Sequence, residues 1–494
     1  MGLTSAWNVA TSSLATNAGL TSIVSRNISN AQNATGYVSA KVANLVTGNG
    51  GAAIIQSISD LTNATLFNSM LSSSSASASA QALSNGVTQL QQTVADATTT
   101  SNATTAAQSP STLLQSLSTA LQTYSSSPSN GSAAAAVLTA AQNLASGLNS
   151  ASATVAQVRE TADQNMVSSV ADINSLLGQF QAVNTTIVQG TASGADISDA
   201  LDQRGTILQS LSKDIGVTTV NNADGSMSIY ADSGVTLSDT TARSVTMAPT
   251  TTFGASTVGA AVYVDGVPVT GANAAMPIQS GALAGLANLR DNVATQYQAQ
   301  LDSIAGGLVN AFAETSSSTG ARAAGLFTGG EASSVPGSSL VSGLAGAIKV
   351  SAAVDPSQGG NLNLIRDGGI NGAAYVQNAT GAAGFNSAIN ADMAALSATA
   401  TFPAAGGLSA SASVTSYTAA SASWLDGQYQ SSSNNATYQS TLATQSSQAL
   451  SNATGVNIDT QMSKMLDLEN SYQASAKLIS TINSMFGALL QAVA

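Results

Sequence analysis

Hydrophobic residues near the start of the chain follow a helical spacing. Positions 3, 7, 10, 14, 17, 21, 24 and 28 are separated by alternating steps of four and three residues, and most of them are apolar. Side chains at this spacing share one face of an α-helix. The pattern predicts an N-terminal helix with a single apolar seam.

The end of the chain carries two such seams. The first consists of Met462, Met465, Tyr472, Ala476, Ile479, Phe486 and Leu490. The second consists of Leu478, Ile482, Met485 and Leu489. Together they predict a helix over 458–492, about 50 Å long at 1.5 Å per residue, with Asn457 or Asp459 as its N-cap. Two seams require two neighbours, so this helix is either buried in its own domain or pairs with the other terminus and with neighbouring subunits.

Proline is confined to the middle of the chain, between Pro110 and Pro403. Because proline breaks helix interiors, this distribution predicts helical ends around a mixed middle. The fold class is therefore expected to be α+β and multidomain. A long coiled-coil-like core would come from both termini, with β-containing domains inserted between them.

Helical spacing recurs in the interior, over 166–187 with a stop at 190–194, and over 286–312. The Ser/Ala-rich run 71–80 and the uncharged stretch 97–158 are expected to be helical when packed. Short β-rich runs lie at 217–220, 227–230 and 261–264. Turn signals separate them. Residues 263–269 are predicted to form a hairpin in which Pro268 confines the second strand to a sheet edge.

These patterns divide the chain into six expected segments. An N-terminal axial helical segment covers 1–60, a mainly helical domain 61–214 and a small β domain 215–281. A helix returning to the core covers 282–319, a variable loop-rich insert 320–415 and a C-terminal axial helical segment 416–494.

Composition excludes many kinds of chemistry. Only 7% of residues are charged, the formal net charge is −12, and the chain contains neither cysteine nor histidine. An acidic chain with few cations is a poor partner for nucleic acid or an anionic membrane surface. Without thiolates or imidazoles, the usual metal centres and catalytic triads cannot be built. We therefore expect no catalytic residue, no metal, no cofactor, no nucleic acid and no membrane partner.

The N-terminal region lacks the basic and apolar pattern of a cleaved signal peptide, and no stretch is apolar enough to span a membrane. Both cytoplasmic residence and export without a cleaved leader agree with this composition.

Two charged clusters are candidate sites. Asp196, Asp199, Asp202 and Arg204 could hold a cation, but they are better interpreted as a solvated helix start with local Asp–Arg pairing. Arg159, Glu160 and Asp163 are likewise interpreted as a solvated helix face.

A family resemblance enters at residues 27–37, which read Asn-Ile-Ser-Asn-Ala-Gln-Asn-Ala-Thr-Gly-Tyr. This resembles the N-terminal signature of flagellar axial proteins, in which Asn-Ile-x-Asn leads through a turn to Gly-Tyr. Ala34 and Thr35 depart from the Thr-Pro that many relatives carry. The C-terminal segment is similar to the end shared by rod, hook and hook-associated proteins, from Gly455-Val456-Asn457 through Tyr472-Gln473-Ala474 to Met485-Phe486.

The middle of the chain resembles the hook-associated protein 1 family, which forms the hook–filament junction. Leu201-Asp202-Gln203-Arg204 before a small β region, and 281–292 after it, carry this likeness. The resemblance covers roughly 1–60, 155–315 and 420–494.

The resemblance implies a structural subunit of the flagellum, exported without a cleaved signal and placed outside the cell at the hook–filament junction. Implied partners are copies of the chain in a ring, the hook protein, a second hook-associated junction protein and an export chaperone. The terminal helices are expected to form the assembly interface through Leu3, Trp7, Leu14, Val24, Ile28, Asn30, Tyr37, Met462, Met465, Tyr472, Ile479, Ile482, Met485, Phe486 and Leu489.

Three alternatives remain at this point. The chain could be a hook or rod protein, which shares both ends but should lack the Asp202-Gln203-Arg204 region. It could be an axial protein whose insert 320–415 carries an activity, or an unrelated secreted adhesin.

Overall fold

The computed structural model describes residues 2–33, 38–48, 51–94, 109–330 and 334–493. It begins with helix α1 (Leu3–Asn33), strands β1 (Lys41–Thr47) and β2 (Ala53–Asp60), and helix α2 (Ala64–Gln91). Helix α1 confirms the helix that the N-terminal seam predicts. β1 and β2 form an antiparallel hairpin in which Lys41 is paired with Asp60. The hydrophobic pattern did not predict this hairpin, which lies in the segment expected to be helical.

Three further helices follow, α3 (Pro110–Ser126), α4 (Gly131–Ser193) and α5 (Ser198–Asp214). Helix α4 is continuous over 63 residues, about 95 Å at 1.5 Å per residue. Asn130 caps its start by accepting hydrogen bonds from two backbone N–H groups, and Gly194 ends it with a left-handed φ of 70°. The predicted stop at 190–194 is thus confirmed. The described part of the uncharged stretch 97–158 is helical in α3 and in the first part of α4, and residues 97–108 lie outside the described residues.

Two small antiparallel sheets come next. The first contains β3 (Val217–Asn221), β4 (Met227–Ala231) and β5 (Thr236–Ser238), and the second contains β6 (Val245–Thr246), β7 (Tyr263–Val264) and β8 (Val267–Pro268). The predicted hairpin is confirmed, because Tyr263 pairs with Pro268 and β8 is an edge strand. Asp265 and Gly266 turn it with φ angles of 49° and 80°.

The chain returns through helix α6 (Ala282–Asn288), a π-helical turn (Leu289–Val293) and helix α7 (Ala294–Ala311). This continuous run confirms the helix predicted over 286–312. Between α7 and the last two helices, the described residues form short elements. They are β9 (Glu314–Thr315), β10 (Arg322–Ala323), β11 (Phe327–Gly329), α8 (Leu344–Ala347), β12 (Ile348–Val350), α9 (Leu364–Asp367), α10 (Ser387–Ser397), β13 (Ala400–Thr401) and β14 (Ser411–Ala412), with 3-10 turns at Ala352–Val354, Pro356–Gln358, Ala373–Tyr375 and Ala404–Gly406.

The chain ends with two long helices, α11 (Val414–Thr454) and α12 (Ile458–Val493). Helix α11 packs along α2, and α12 packs along α1. The predicted cap is confirmed, because Asn457 Oδ1 accepts the Thr460 N–H at 3.0 Å. The expected α+β fold, with long terminal helices and small sheets in the middle, is confirmed.

A continuous apolar core runs along α4, which contributes Leu144 and Phe180. Neighbouring elements add Leu121 of α3, Ile229 of β4 and Leu301 of α7. Two charged residues of α4 lie in this core. Arg159 and Asp163 are 2% and 1% exposed, so their interpretation as a solvated face was wrong. Arg159 donates to the carbonyls of Arg290, Gly254 and Thr257, and Asp163 pairs with Arg290 at 2.5 Å. Tertiary partners stabilise these charges where no water reaches them.

Within the described residues, no helix combines the length and apolar character needed to cross a membrane.

Candidate assembly site

The two ends of the chain lie side by side as an antiparallel helix pair. Asn27 Nδ2 of α1 donates to Gln461 Oε1 of α12 at 3.3 Å, and Asn17 Nδ2 donates to Ser471 Oγ at 2.9 Å. Ser13 Oγ lies 3.2 Å from Ser475 Oγ. As residue numbers fall along α1 they rise along α12, so the termini form the coaxial core that the sequence predicts. We refer to this pair as the axial pair.

One face of α12 is buried in this contact. Most of its positions are separated by four or three residues, the spacing of a coiled-coil seam. They are Gln461, Met465, Leu468, Ser475, Ile479, Ile482 and Phe486, each buried or half-buried. Ile482 is 5% exposed, which makes it the most enclosed apolar side chain of the helix. Helix α1 is thus the first of the two neighbours that the seams of α12 require.

The remaining surface of α12, which we call the outer face, is left uncovered by the residues that the structure describes. Large apolar side chains along it are between 49% and 70% exposed, namely Met462, Leu466, Tyr472, Leu478, Met485, Leu489 and Leu490. Several large exposed apolar side chains on one helix are typical of surfaces that bind another protein. The second predicted seam is therefore divided, since Ile482 packs on α1 and its other members face outward.

The predicted site residues of α1 lie mainly inside the pair. Val24 is 5% exposed, and the remaining five are half-buried, namely Leu3, Trp7, Leu14, Ile28 and Asn30. Tyr37 lies outside the described residues. Of the residues predicted on α12, Met465, Ile479, Ile482 and Phe486 are buried or half-buried. Met462, Tyr472, Met485 and Leu489 are exposed.

The hairpin β1–β2 packs on the other side of α1. Thr16 Oγ1 donates to the Ala53 carbonyl at 2.7 Å, and a Cβ on Gly19 would lie only 2.6 Å from Ile55 Cδ1. A glycine at position 19 thus lets Ile55 sit directly on the helix. The hairpin also exposes apolar side chains, including Val42, Leu45, Val46 and Ile54.

Asn27 joins the helix to the hairpin at its base. Its Oδ1 accepts the Lys41 N–H at 2.9 Å, and its Nδ2 donates to the Lys41 carbonyl at 2.9 Å. Asn27 is only 1% exposed. One amide side chain thus satisfies both backbone groups of Lys41, which is a physical reason for asparagine at the first position of the Asn-Ile-x-Asn segment.

A cluster of ionisable side chains connects the axial pair to the rest of the protein. We call it the charged joint, and it consists of Arg26, Lys41, Asp60, Asp196, Asp199 and Asp202. Arg26 of α1 pairs with Asp196 at 2.9 Å and with Asp199 at 2.7 Å. Backbone contacts reinforce the joint, since the Ala40 N–H donates to the Thr454 carbonyl at 2.8 Å.

Lys41 lies at the centre of the charged joint, with a fully buried side chain. Its Nζ is 2.8 Å from Asp202, 3.3 Å from Asp199 and 3.4 Å from Asp60. Asp202 Oδ1 also accepts hydrogen bonds from the Ser39 N–H and hydroxyl, at 3.2 and 2.8 Å. Asp202 therefore binds Ser39, which precedes β1, as well as the Lys41 ammonium.

The electrostatics of the joint follow from burial and charge pairing. Burial acts to lower the pKa of Lys41, but the hydrogen bond and charge of Asp202 outweigh it, so this pKa is raised. Burial raises the pKa of Asp60 to about 6, and repulsion from Asp202 adds to the effect. Burial also opposes ionisation of Asp196, yet hydrogen bonds from Ser198 and Arg26 leave its pKa lowered.

The interpretation of the cluster at 196–204 was therefore wrong. Its carboxylates pair with Arg26 and Lys41 of the N-terminal segment rather than with Arg204. Arg204 instead donates to the Gly225 carbonyl at 2.9 Å and to Asn184 Oδ1 at 3.3 Å. Burial lowers the pKa of Arg204 to about 10.

Sequence reasoning missed Arg26, Lys41 and Asp60. A local signal for the strands that carry two of them did exist. The β-branched runs on either side of the Gly-rich turn at 48–51 alternate as hairpin strands do. Nothing local indicates that these residues meet Asp202, because the pairing depends on how α5 packs against the hairpin.

The part of the chain that the structure describes contains no group of three carboxylate, histidine or cysteine side chains able to hold a metal ion. The site combines the axial pair, in which α12 carries exposed apolar side chains, with the ion pairs of the charged joint at its base. Such an arrangement suits protein–protein assembly.

Two family models match the chain. Residues 103–330 match the helical domain of the flagellar hook-associated protein FlgK. Residues 447–492 match the C-terminal region of the flagellar basal body rod FlgEFG proteins. The resemblance to flagellar hook-associated proteins is thereby confirmed over 103–330, which contains α4, α5 and the two small sheets. The resemblance to the end shared by flagellar axial proteins is confirmed over 447–492, which contains nearly all of α12.

The flagellar hook junction protein FlgK from Burkholderia pseudomallei is a similar solved structure, 24% identical to this chain with a TM-score of 0.42. The similarity covers 53% of this chain and 47% of that chain, so the chain spans about half the length of that structure. No curated protein matches this sequence.

Proposed function

We propose that this chain, with its flagellar hook-associated helical domain and axial C-terminal segment, is a structural subunit of the bacterial flagellum. Its place would be the junction between hook and filament, where it is required for filament assembly. The axial pair would enter the core of the assembly, and the domains between α2 and α11 would project outward.

The observation that carries this proposal is the outer face of α12. A helix with one apolar seam covered by α1 and large exposed apolar side chains elsewhere is incompletely buried in a single chain. Packing against copies of the same helix would remove those side chains from water, at about 25 cal/mol per Å² of apolar surface. The match of 447–492 to rod proteins supports an axial position for this helix.

The proposed partners are copies of the chain in a ring, the hook protein on one side and a second hook-associated junction protein on the other. An export chaperone would bind the subunit before assembly. The assembly interface would include the exposed residues Met462, Tyr472, Met485 and Leu489. The location would be the extracellular flagellum, reached by flagellar export.

No catalytic or cofactor-dependent role is proposed. The family that the chain matches is structural, and the charged residues described above serve pairing within the fold. The six segments expected from the sequence remain the proposed domain division.

Gene deletion tests the function directly. Electron microscopy of deletion cells should show complete hooks without filaments, and filament protein should accumulate in the culture medium. Re-expression of the intact chain should restore filaments.

Two other outcomes would assign the chain elsewhere. Cells without hooks would indicate the hook or rod alternative, which also carries the C-terminal segment. Deletion cells with normal filaments would contradict any axial role and return the chain to the adhesin alternative.

A further inference from the structure

Asp60 is the weakly held carboxylate of the charged joint. Its side chain is 2% exposed, and Oδ1 lies 3.4 Å from Lys41 Nζ, the longest of the three distances from that ammonium. Asp60 Oδ2 is buried and has no hydrogen-bond partner in the described structure. A buried carboxylate oxygen without a partner costs free energy as long as the group is ionised.

The net charge of the joint also disfavours the ionised form of Asp60. Four carboxylates face two cations, Arg26 and Lys41, which leaves an excess of two negative charges. Arg26 pairs with Asp196 and Asp199, while Lys41 is closest to Asp202. Asp60 is the carboxylate whose charge the joint compensates least.

The elements around Asp60 provide no further compensation. β1 contributes Lys41, α1 contributes Arg26, and α5 with its preceding loop contributes the three other carboxylates. Arg204 of α5 lines the same cavity of about 370 Å³, but its described hydrogen bonds go to Gly225 and Asn184. Helix α2, which follows Asp60 in the chain, carries no charged residue.

We propose that Asp60 makes the charged joint a proton-sensitive latch, which holds the hairpin β1–β2 against α5 more tightly when the Asp60 carboxyl is protonated. Protonation removes one uncompensated negative charge, whereas Lys41 keeps Asp202 and Asp199 as partners. The latch is a property of the single chain and does not depend on the proposed place in the flagellum.

The direction of the pH effect follows from linkage. In the closed joint the pKa of Asp60 is about 6, against an ordinary value of 3.8 when the carboxyl is exposed to water. The closed state therefore binds the proton more tightly, and the ratio of closed to open joint rises as the pH falls through 6. Between pH 8 and pH 5 the two values give an increase of about tenfold in that ratio.

Amide hydrogen exchange of the intact chain measures this ratio. The Ser39 N–H donates to Asp202 of α5 across the joint, so its protection against exchange reports separation of the hairpin from α5. Protection factors, corrected for the intrinsic exchange rate at each pH, should rise about tenfold from pH 8 to pH 5. Amides in the middle of α4 provide an internal reference and should show no such change.

Two variants distinguish the contribution of Asp60 to the pH dependence from that of the neighbouring carboxylates. Asp60→Asn should show protection of the joint that is high at pH 8 and independent of pH. Asp199→Asn is the matched control, because it removes an exposed carboxylate of the same cluster, and it should retain the tenfold change.

The proposal is overturned if the unmodified chain shows no rise in protection, or if Asp60→Asn retains it. Circular dichroism will show whether Asp60→Asn folds. If it does not, Asp202→Asn provides a second test. Lys41 then depends on the charge of Asp60, so the rise toward pH 5 should disappear or reverse. An unchanged rise in Asp202→Asn would also contradict the latch.

Discussion

The Lys41 ammonium lies 2.8 Å from the Asp202 carboxylate, although 161 residues separate them in the chain. This pair connects the first strand after the N-terminal helix to the helix that precedes the small sheets. Because Lys41 is fully buried, it depends on its carboxylate partners for solvation. The contact therefore sets where the axial pair joins the remainder of the protein.

Replacement of Lys41 should open this connection. Lys41→Met leaves Asp202 and Asp60 buried without a cation, and loss of one partner from a buried ion pair costs about 3–5 kcal/mol. Urea unfolding followed by circular dichroism should show the loss, and limited proteolysis should cut faster between 38 and 63. The control is Lys349→Met, since Lys349 is exposed on β12. Equal stability of the two variants would refute the anchoring role of Lys41.

The two sides of α12 should respond differently to substitution. Leu478→Asp with Met485→Asp changes side chains that are 50% and 52% exposed, so the isolated chain should keep its helix content and unfolding midpoint. In cells the same double variant should lose filaments, because charges on the outer face oppose burial between subunits.

Ile482→Ala provides the comparison on the covered side. Ile482 is 5% exposed, and its truncation should destabilise the axial pair by about 2 kcal/mol or more. Thermal unfolding and amide exchange of 475–490 measure that effect.

Normal filaments in the Leu478/Met485 variant would show that this part of the outer face is not used in assembly.

The buried pair of Asp163 and Arg290 should contribute strongly to stability. Asp163→Ala leaves Arg290 and Arg159 buried with less negative charge, although Asp291 still pairs with Arg290 at 2.8 Å. We expect a loss of about 3 kcal/mol in urea unfolding. Glu160→Ala, three residues earlier on the exposed side of α4, should change the free energy of unfolding by less than about 0.5 kcal/mol.

Two helical glycines should give opposite effects when replaced by alanine. A Cβ on Gly285 would lie 2.2 Å from the Ser79 carbonyl oxygen, so Gly285→Ala must push α6 away from α2 and destabilise the protein by about 1–3 kcal/mol. Outside the local backbone of α4, no atom of the described residues lies within 4 Å of a Cβ on Gly178, so Gly178→Ala should stabilise the protein by about 0.5–1 kcal/mol. Thermal unfolding of both variants measures the difference, and equal shifts would contradict the close approach of α2 and α6.

Local patterns were sufficient to predict the helices α1, α4, α7 and α12 and the hairpin at 263–268. The seam from Leu3 to Ile28, the cap at Asn457 and the turn at Asp265 each depend on residues within a few positions of one another. Helix and hairpin formation use the same short range. The hairpin β1–β2 was not predicted, although Gly-rich turn signals lie at 48–51. The bounds of helix α11 and the short elements between β9 and β14 were not predicted either.

By itself the sequence determined the long terminal helices, the small β region and the likeness to flagellar axial proteins, since periodicity and motif spacing are local properties of the chain. Only the tertiary structure decided which seam of α12 meets α1 and which carboxylates surround Lys41. It also decided that Arg159 and Asp163 are buried. The physical reason is that burial and ion pairing depend on elements that meet in space, and Asp202 is far from Lys41 in the sequence.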